Sequence, residues 1–468
     1  MTNNKLSRRD FLRLSGASAA VLASGIPLHS ALAGGATATK LNQDVTNIVF
    51  GGWGATAEDN GVQAAIKVFQ EQNPKIAVKW QLTPQATDYM QQLLTNFAAK
   101  TAPDTSFIVS DGYETLRKQG LLMDITDRIT GDSLLGQKNY FNEPQEAARC
   151  ADDKGRWHGI GSCWVATQFY YNADLLDKEK IPLPGFKDAE LWDWNKFVEY
   201  AKQLTVDDKG RHPDDSGFNA DNIQRWGVAW PLDNWVTVAT AVYANGGAWI
   251  KDGKIALDSP EAVEGLQRLY ELIYVHHVSP RSSSMTDLGM SNTQMLDNGK
   301  LAIATDGSWA LSWMNPTTIK NAKMGTSAVP KMKQAAAFMQ AHFHSVISSS
   351  QHPEEAWQWV RFLATPFYQT QFLKIGLWLP SQTALTTAEG LKTWITKGIH
   401  PDNYSEFVSD YLPKYGVTCR IPSGYIEAAS TYITPGLEAI AGGTPADKAI
   451  TKDIIQKAND IIDKAQKS

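Results

Sequence analysis

The chain has 468 residues, 43% hydrophobic and 20% charged, with a formal net charge of −5, which bounds it to a globular protein of two domains or one large bilobed one. Its acidic balance, without a basic run, argues against nucleic acid and anionic lipid as partners. Three cysteines without CxxC spacing exclude a full disulfide framework and leave zinc and thioredoxin-like chemistry unsupported, whereas sixteen tryptophans favour stacking against a flat ligand.

Ser7-Arg8-Arg9-Asp10-Phe11-Leu12-Arg13 comes first and resembles the twin-arginine export signal. A mild apolar run, Leu14 to Leu28, and the small-residue site Ala31-Leu32-Ala33 complete the three parts of a removable export peptide over residues 1–33. The rest is expected in the periplasm. No later apolar stretch is long enough to span a bilayer, so direct membrane insertion is not expected.

Asn47 to Gly51 reads as a strand running into the loop Gly51-Gly52-Trp53-Gly54. Ala57 to Gln72 carries Val62, Ala65, Ile66 and Phe69 on one helical stripe and stops at Asn73-Pro74. A strand at Ile76–Leu82, a helix at Tyr89–Lys100 and a strand at Ser106–Val109 complete the pattern of a doubly wound sheet. Loops at the carboxyl ends of such strands form the ligand crevice, which places Trp53 and Asp111 at one rim.

Lys154 to Gly159 reads as a turn into a strand and Gln168–Asn172 as an aromatic strand, followed by helices at Ala173–Lys180 and Trp192–Leu204. Val206 to Ile223 is polar and reads as a solvated loop. Its acids lack the spacing of a calcium loop. Helices follow at Val236–Asn245 and Pro260–Val275, strands at Leu301–Thr305 and Phe343–Ser348, and helices at Pro353–Leu363, Tyr425–Ala441 and Thr444–Gln466. His342-Phe343-His344 reads as a polar strand edge rather than half a metal site.

No nucleophile elbow, H-E-x-x-H or P-loop is present, and the Gly51–Gly54 glycines lack dinucleotide spacing. No cofactor is expected. A distributed carboxylate pair for glycoside hydrolysis stays open as an alternative. Trp53, Trp164, Trp230, Trp235 and Trp309 each sit beside a strand end or a Gly, Pro or Asp turn. Indole faces stack on sugar rings while Asp and Asn take the hydroxyls.

Several segments resemble family 1 extracellular solute-binding proteins of ABC importers, the carbohydrate-binding group. They are Ala102-Pro103-Asp104 with Gln119 to Ile125, Tyr170-Tyr171-Asn172-Ala173-Asp174-Leu175-Leu176, Trp192-Asp193 and Tyr243 to Gly247. Asn298 to Ile303 with Gly307-Ser308-Trp309, Ala328-Val329-Pro330, His352 to Trp357 with Phe362-Leu363, and Gly376 to Pro380 continue in the family's order. The resemblance implies a monomeric, non-enzymatic binding protein with an α/β periplasmic-binding-protein fold. Two lobes are joined by crossover strands, with the ligand cleft between them. Its partners would be a carbohydrate and, transiently, the permease subunits of an ABC importer. A glycan-active enzyme and a non-sugar polyol-derivative binder are the alternatives.

The implied lobes are residues 45–158 plus 344–385 and residues 159–343 plus 386–468, with crossings near Gly159–Gly161, near Ala341–Ser345 and after Pro380. The implied pocket positions are Trp53, Asp111, Trp164, Val165, Trp230, Asp233, Trp235, Gly307, Ser308, Trp309 and Tyr425. Ala341-His342-Phe343-His344 stands where the family has a Gly-Gly pair, which alters the hinge side of the cleft. Cys150 and Cys163 flank an expected hairpin, and export in the folded state favours free thiols over a bond between them.

Overall fold

The computed structural model describes residues 45–136, 155–281 and 289–467. The twin-arginine segment and Cys150 lie outside them. The elements at the start are β1 (Thr46–Trp53), α1 (Thr56–Gln72), β2 (Ile76–Thr83), α2 (Ala86–Ala99), β3 (Thr105–Val109) and α3 (Ser110–Lys118). β1 pairs in parallel with β2 and β3. The α1 stripe buries Val62, Ala65, Ile66 and Phe69 as its spacing requires. Glu58 in its first turn accepts the Ala55 N–H at 2.9 Å, which satisfies one of the otherwise orphaned donors at a helix start.

β4 (Ile160–Asn172), α4 (Trp194–Leu204), β5 (Val206–Asp207), β6 (Ile223–Ala229) and α5 (Trp235–Ala244) come next. The small hairpin β7–β8 (Ile250–Lys251, Lys254–Ile255), α6 (Pro260–Tyr274), β9 (Leu301–Gly307), β10 (Met324–Ser327) and β11 (Ala337–Val346) follow. α7 (Pro353–Leu363), α8 (Pro366–Leu373), β12 (Gly416–Val417) and α9 (Lys452–Lys467) complete the set used below. α4 starts where Asp193 accepts the Lys196 N–H at 3.0 Å, and α6 where Ser259 caps Ala262 with Pro260 in the first turn.

Strand order is β2-β1-β3-β11-β4-β9-β6-β5, with β10 on β4 and β12 on β11. β4 and β11 run through both halves of this series. The first half of β4 pairs with β11, and its second half with β9 and β10. β11 pairs with β3 through His342–Val346 and with β4 through Met339–His344. A third segment joins them: the Trp164 and Leu379 backbones exchange bonds of 3.2 and 2.9 Å. These strands connect the two lobes of a mixed α/β fold. One large apolar cluster includes Phe50, Leu93, Trp359 and Phe372, and another includes Phe169, Phe197, Val242, Leu266 and Ile462 of α9.

Three local expectations are corrected. The strand expected after the Lys154–Gly159 turn and the aromatic strand at Gln168–Asn172 are a single strand, β4, whose thirteen residues are all buried, and a strand covered on both faces shows no alternation to mark its extent. His342 and His344 are not a polar edge. They lie on the buried strand β11 between β3 and β4, with rings 5.4 Å from Trp53 and 5.5 Å from Tyr368 respectively. The 206–223 segment is organised around buried Asp207, which accepts the Lys209, Arg211 and Asn219 N–H groups at 2.8, 2.9 and 3.0 Å.

The helix expected over 444–466 breaks at Ile450, where φ is −114° and ψ 84°. The helical stretch from Tyr425 to Ala441 stands, with a π-helical turn at Ala429–Ile433. Among the described residues Cys163 and Cys419 are free thiols. No described helix is long and apolar enough to cross a membrane.

Candidate binding cleft

β1, β3 and β9 end at Trp53, Val109 and Gly307, and the residues just beyond these carboxyl ends are the expected crevice positions. Asp111, in the first turn of α3, accepts from Ser110 Oγ at 3.1 Å and from Gln340 Nε2 at 2.8 Å. Burial pushes its carboxyl up to about 6, against the opposing effect of the Ser110, Gln340 and Trp235 donors. Half-buried Trp235 starts α5, with its ring 5.5 Å from Trp249, 5.2 Å from Phe338 and 6.0 Å from Tyr425. Tyr425 accepts the Trp249 indole N–H at 2.8 Å. Burial first, and then the Asp111 charge, hold its phenol well above the ordinary value. Asp111, Trp235 and Tyr425, far apart in sequence, therefore meet.

A second group forms at the end of β9. Asp306 accepts the Gly307 N–H at 2.7 Å. Burial pushes its carboxyl up to about 7, and the neighbouring Asp233 carboxylate acts in the same direction. Asp233 is exposed. Trp309 is half-buried and packs against both large apolar clusters. Its indole folds back over Gly307 so closely that a Cβ there would clash with the ring. Beneath lies Tyr170, which accepts from Gln168 Nε2 at 2.7 Å and donates to the Gly307 carbonyl at 2.8 Å.

Trp53 lies flat on Phe107, with ring centroids 4.0 Å apart and planes 9° apart, and keeps part of its surface open. Four implied positions are instead built into the framework. Trp164 and Val165 are 1% and 3% exposed on β4. Ser308 accepts the Ala166 N–H at 3.2 Å. Trp230 is 2% exposed, donates to the Thr237 carbonyl at 3.3 Å, and packs against Phe169, Trp194 and Phe197 at 5.6, 6.3 and 6.5 Å. Just past the end of β6, Trp230 joins Val228 in the second apolar cluster, under α4.

Two residues join the group that sequence reasoning did not place there. Gln340 is a polar side chain on a buried strand, which was its available signal, and Asp306 closes β9 beside the Gly307–Trp309 motif. Among the described residues no group of three or more His, Cys, Asp or Glu side chains is placed to hold a metal ion.

The profile of the bacterial extracellular solute-binding proteins matches residues 53–370. The chain belongs to this family. Over 152 residues this solute-binding protein is 24% identical to an arabinooligosaccharide-binding protein of Halalkalibacterium halodurans, a match spanning 32% of this chain and 29% of that one.

Its fold is that of an ABC substrate-binding protein from Listeria monocytogenes in complex with cycloalternan (TM-score 0.73, 22% identity, 90% of this chain and 99% of that chain). It is also that of maltose-bound MalE3 from T. maritima (TM-score 0.69, 21% identity, 89% and 99%). UgpB from M. tuberculosis, in complex with glycerophosphocholine, aligns with a TM-score of 0.71 at 17% identity over 90% and 99% of the two chains.

Proposed function

We propose that this solute-binding protein captures a sugar or oligosaccharide between its lobes, closes by a hinge motion, and delivers the closed form to the permease of an ABC importer. The observation that carries the reading is the company of half-buried indoles and hydrogen-bonding side chains beyond the strand ends. Trp53, Trp235 and Trp309 offer ring faces, and Asp111, Gln340, Asp306 and Asp233 offer acceptors and a donor. A pocket of apolar faces with a few convergent polar groups is how a protein orients a saccharide. The related arabinooligosaccharide, cycloalternan and maltose proteins support that ligand class.

In this reading the lobes comprise residues 45–158 plus 344–385 and 159–343 plus 386–468, and β4, β11 and the segment around Leu379 are the hinge. The protein works as a monomer in the periplasm after twin-arginine export, carries no cofactor and turns nothing over. Isothermal calorimetry and tryptophan fluorescence against a panel of neutral and charged mono- and oligosaccharides test it. Saturable one-to-one binding of a saccharide is expected. Absence of binding across the panel, or glycan cleavage with turnover, overturns it.

A further inference from the structure

The rim at the end of β9 is rich in acceptors, and no cation among the described residues is paired with them. Asp233 and Asp306 sit close enough for one carboxylate to disfavour ionisation of the other, and no ion pair is found for either among the described residues. Three buried or half-buried acids elsewhere do have cations. Asp207 pairs with Arg211 at 2.6 Å, Glu179 with Arg225 at 2.7 Å, and Glu264 with Lys333 at 2.5 Å.

A second observation points the same way. Gln168 is directly opposite Asp306 across the β4–β9 pair, so both side chains leave the same face of the sheet. Gln168 is fully buried, its Nε2 is spent on Tyr170, and its Oε1 has no partner. A buried acceptor left unpaired is costly and calls for a donor. The only donor given to the Asp306 carboxylate among the described residues is the Gly307 N–H, which takes Oδ1 and leaves Oδ2 open. The indole of Trp309, whose face attracts cations, folds over Gly307, the residue that follows Asp306.

A neutral hydroxyl both donates and accepts, so it uses such a site poorly. A metal ion would need a larger ligand set than the described residues supply. An ammonium group donates three hydrogen bonds, accepts none and brings the missing charge.

We infer that the rim formed by Asp233, Asp306 and Trp309 selects a saccharide bearing a protonated amine over its hydroxyl counterpart. The inference rests on the sugar-capture reading above. Calorimetry at pH 7 on matched pairs tests it: glucose with glucosamine, galactose with galactosamine, and cellobiose with the β-1,4 disaccharide of glucosamine and its N-acetylated form. In at least one pair the amine is expected to bind about tenfold tighter or more than the hydroxyl compound, and N-acetylation is expected to erase the gain.

Asp306→Asn should collapse the preference. Asp233→Asn, at an exposed position, should reduce it and gives a second reading should the first variant fold poorly. Equal or tighter binding of the neutral members overturns the inference alone, as does calcium or magnesium binding with no amine preference. Binding by no member of any pair sinks the sugar reading with it.

Discussion

Gln340 Nε2 donates to Asp111 Oδ1 across 2.8 Å and 229 positions of sequence, tying crossover strand β11 to the first turn of α3. The bond holds the carboxylate by Trp235, which donates to it, and near Tyr425, whose phenol the Asp111 charge helps to hold above its ordinary value. Gln340→Ala removes a donor that favours the charged carboxylate. Calorimetry should show saccharide affinity falling about tenfold, equivalent to about 1.4 kcal/mol. Gln340→Glu sets a second carboxylate beside the first, and should cost more at pH 8 than at pH 5. Unchanged affinity in both variants would remove Asp111 from the binding group.

Burial holds the Asp111 and Asp306 carboxyls at about 6 and about 7, above the value of an exposed carboxylate. Their folded-state values are raised, so their contribution to stability is fully present below the unfolded value near ~3.9 and is lost as pH rises through 6 to 7. Half-buried His342, held down to about 4, and buried His344, held down to about 3, act oppositely, and their contribution fades as pH falls below about 6.5. The test is therefore a difference. Urea unfolding of the ligand-free protein should find Asp306→Asn more stable than the parent at pH 8 by about 1–3 kcal/mol, with the gain gone by about pH 4. A gain that persists at low pH would show that charge burial is not its origin.

Trp309 and Trp230 should behave as different kinds of residue, although both stand just past strand ends. Trp309→Ala is expected to weaken saccharide binding by about 1–3 kcal/mol with a modest change in stability. Trp230→Ala should instead lower unfolding free energy by about 3–5 kcal/mol, because its ring fills space among Phe169, Trp194 and Phe197. Fluorescence-monitored denaturation and calorimetry on both variants separate the two. Reversed outcomes would move the site away from Trp309.

The difference between these tryptophans marks how far the sequence could be read. Periodicity located β1, α1, β2 and β3, since each buries one regular stripe or a short apolar run. It does not show that the strand after Gly159 runs on unbroken to Asn172, because Gly161, Ser162 and Cys163 carry no alternation in a strand covered on both faces. Trp230 has turn-like neighbours in sequence but packs into the second apolar cluster. The Gln340–Asp111 and Gln168–Asp306 relationships join distant segments through sheet pairing, so local pattern does not reveal them.

Export has its own test. Replacing Arg8 and Arg9 together by Lys preserves charge but removes the guanidinium pair that the twin-arginine route reads. Cell fractionation should then find the precursor retained in the cytoplasm, while blocking the general secretory route leaves the parent's export intact. Continued export of the double variant would assign the protein to the general route.

Gly307→Ala addresses how the rim is set. The backbone there is ordinary, with φ −78°, so no conformational penalty attaches to a side chain. The obstacle is the Trp309 ring, which occupies the space a Cβ would need. Because Tyr170 fixes the Gly307 carbonyl from below at 2.8 Å, the indole rather than the backbone should give way. Overpacking of this kind costs about 1–3 kcal/mol. The expected result is a shifted Trp309 emission maximum, a loss of saccharide affinity approaching that of Trp309→Ala, and little further loss when the two changes are combined. Full additivity in the double variant would mean that Gly307 acts on the ligand independently of Trp309.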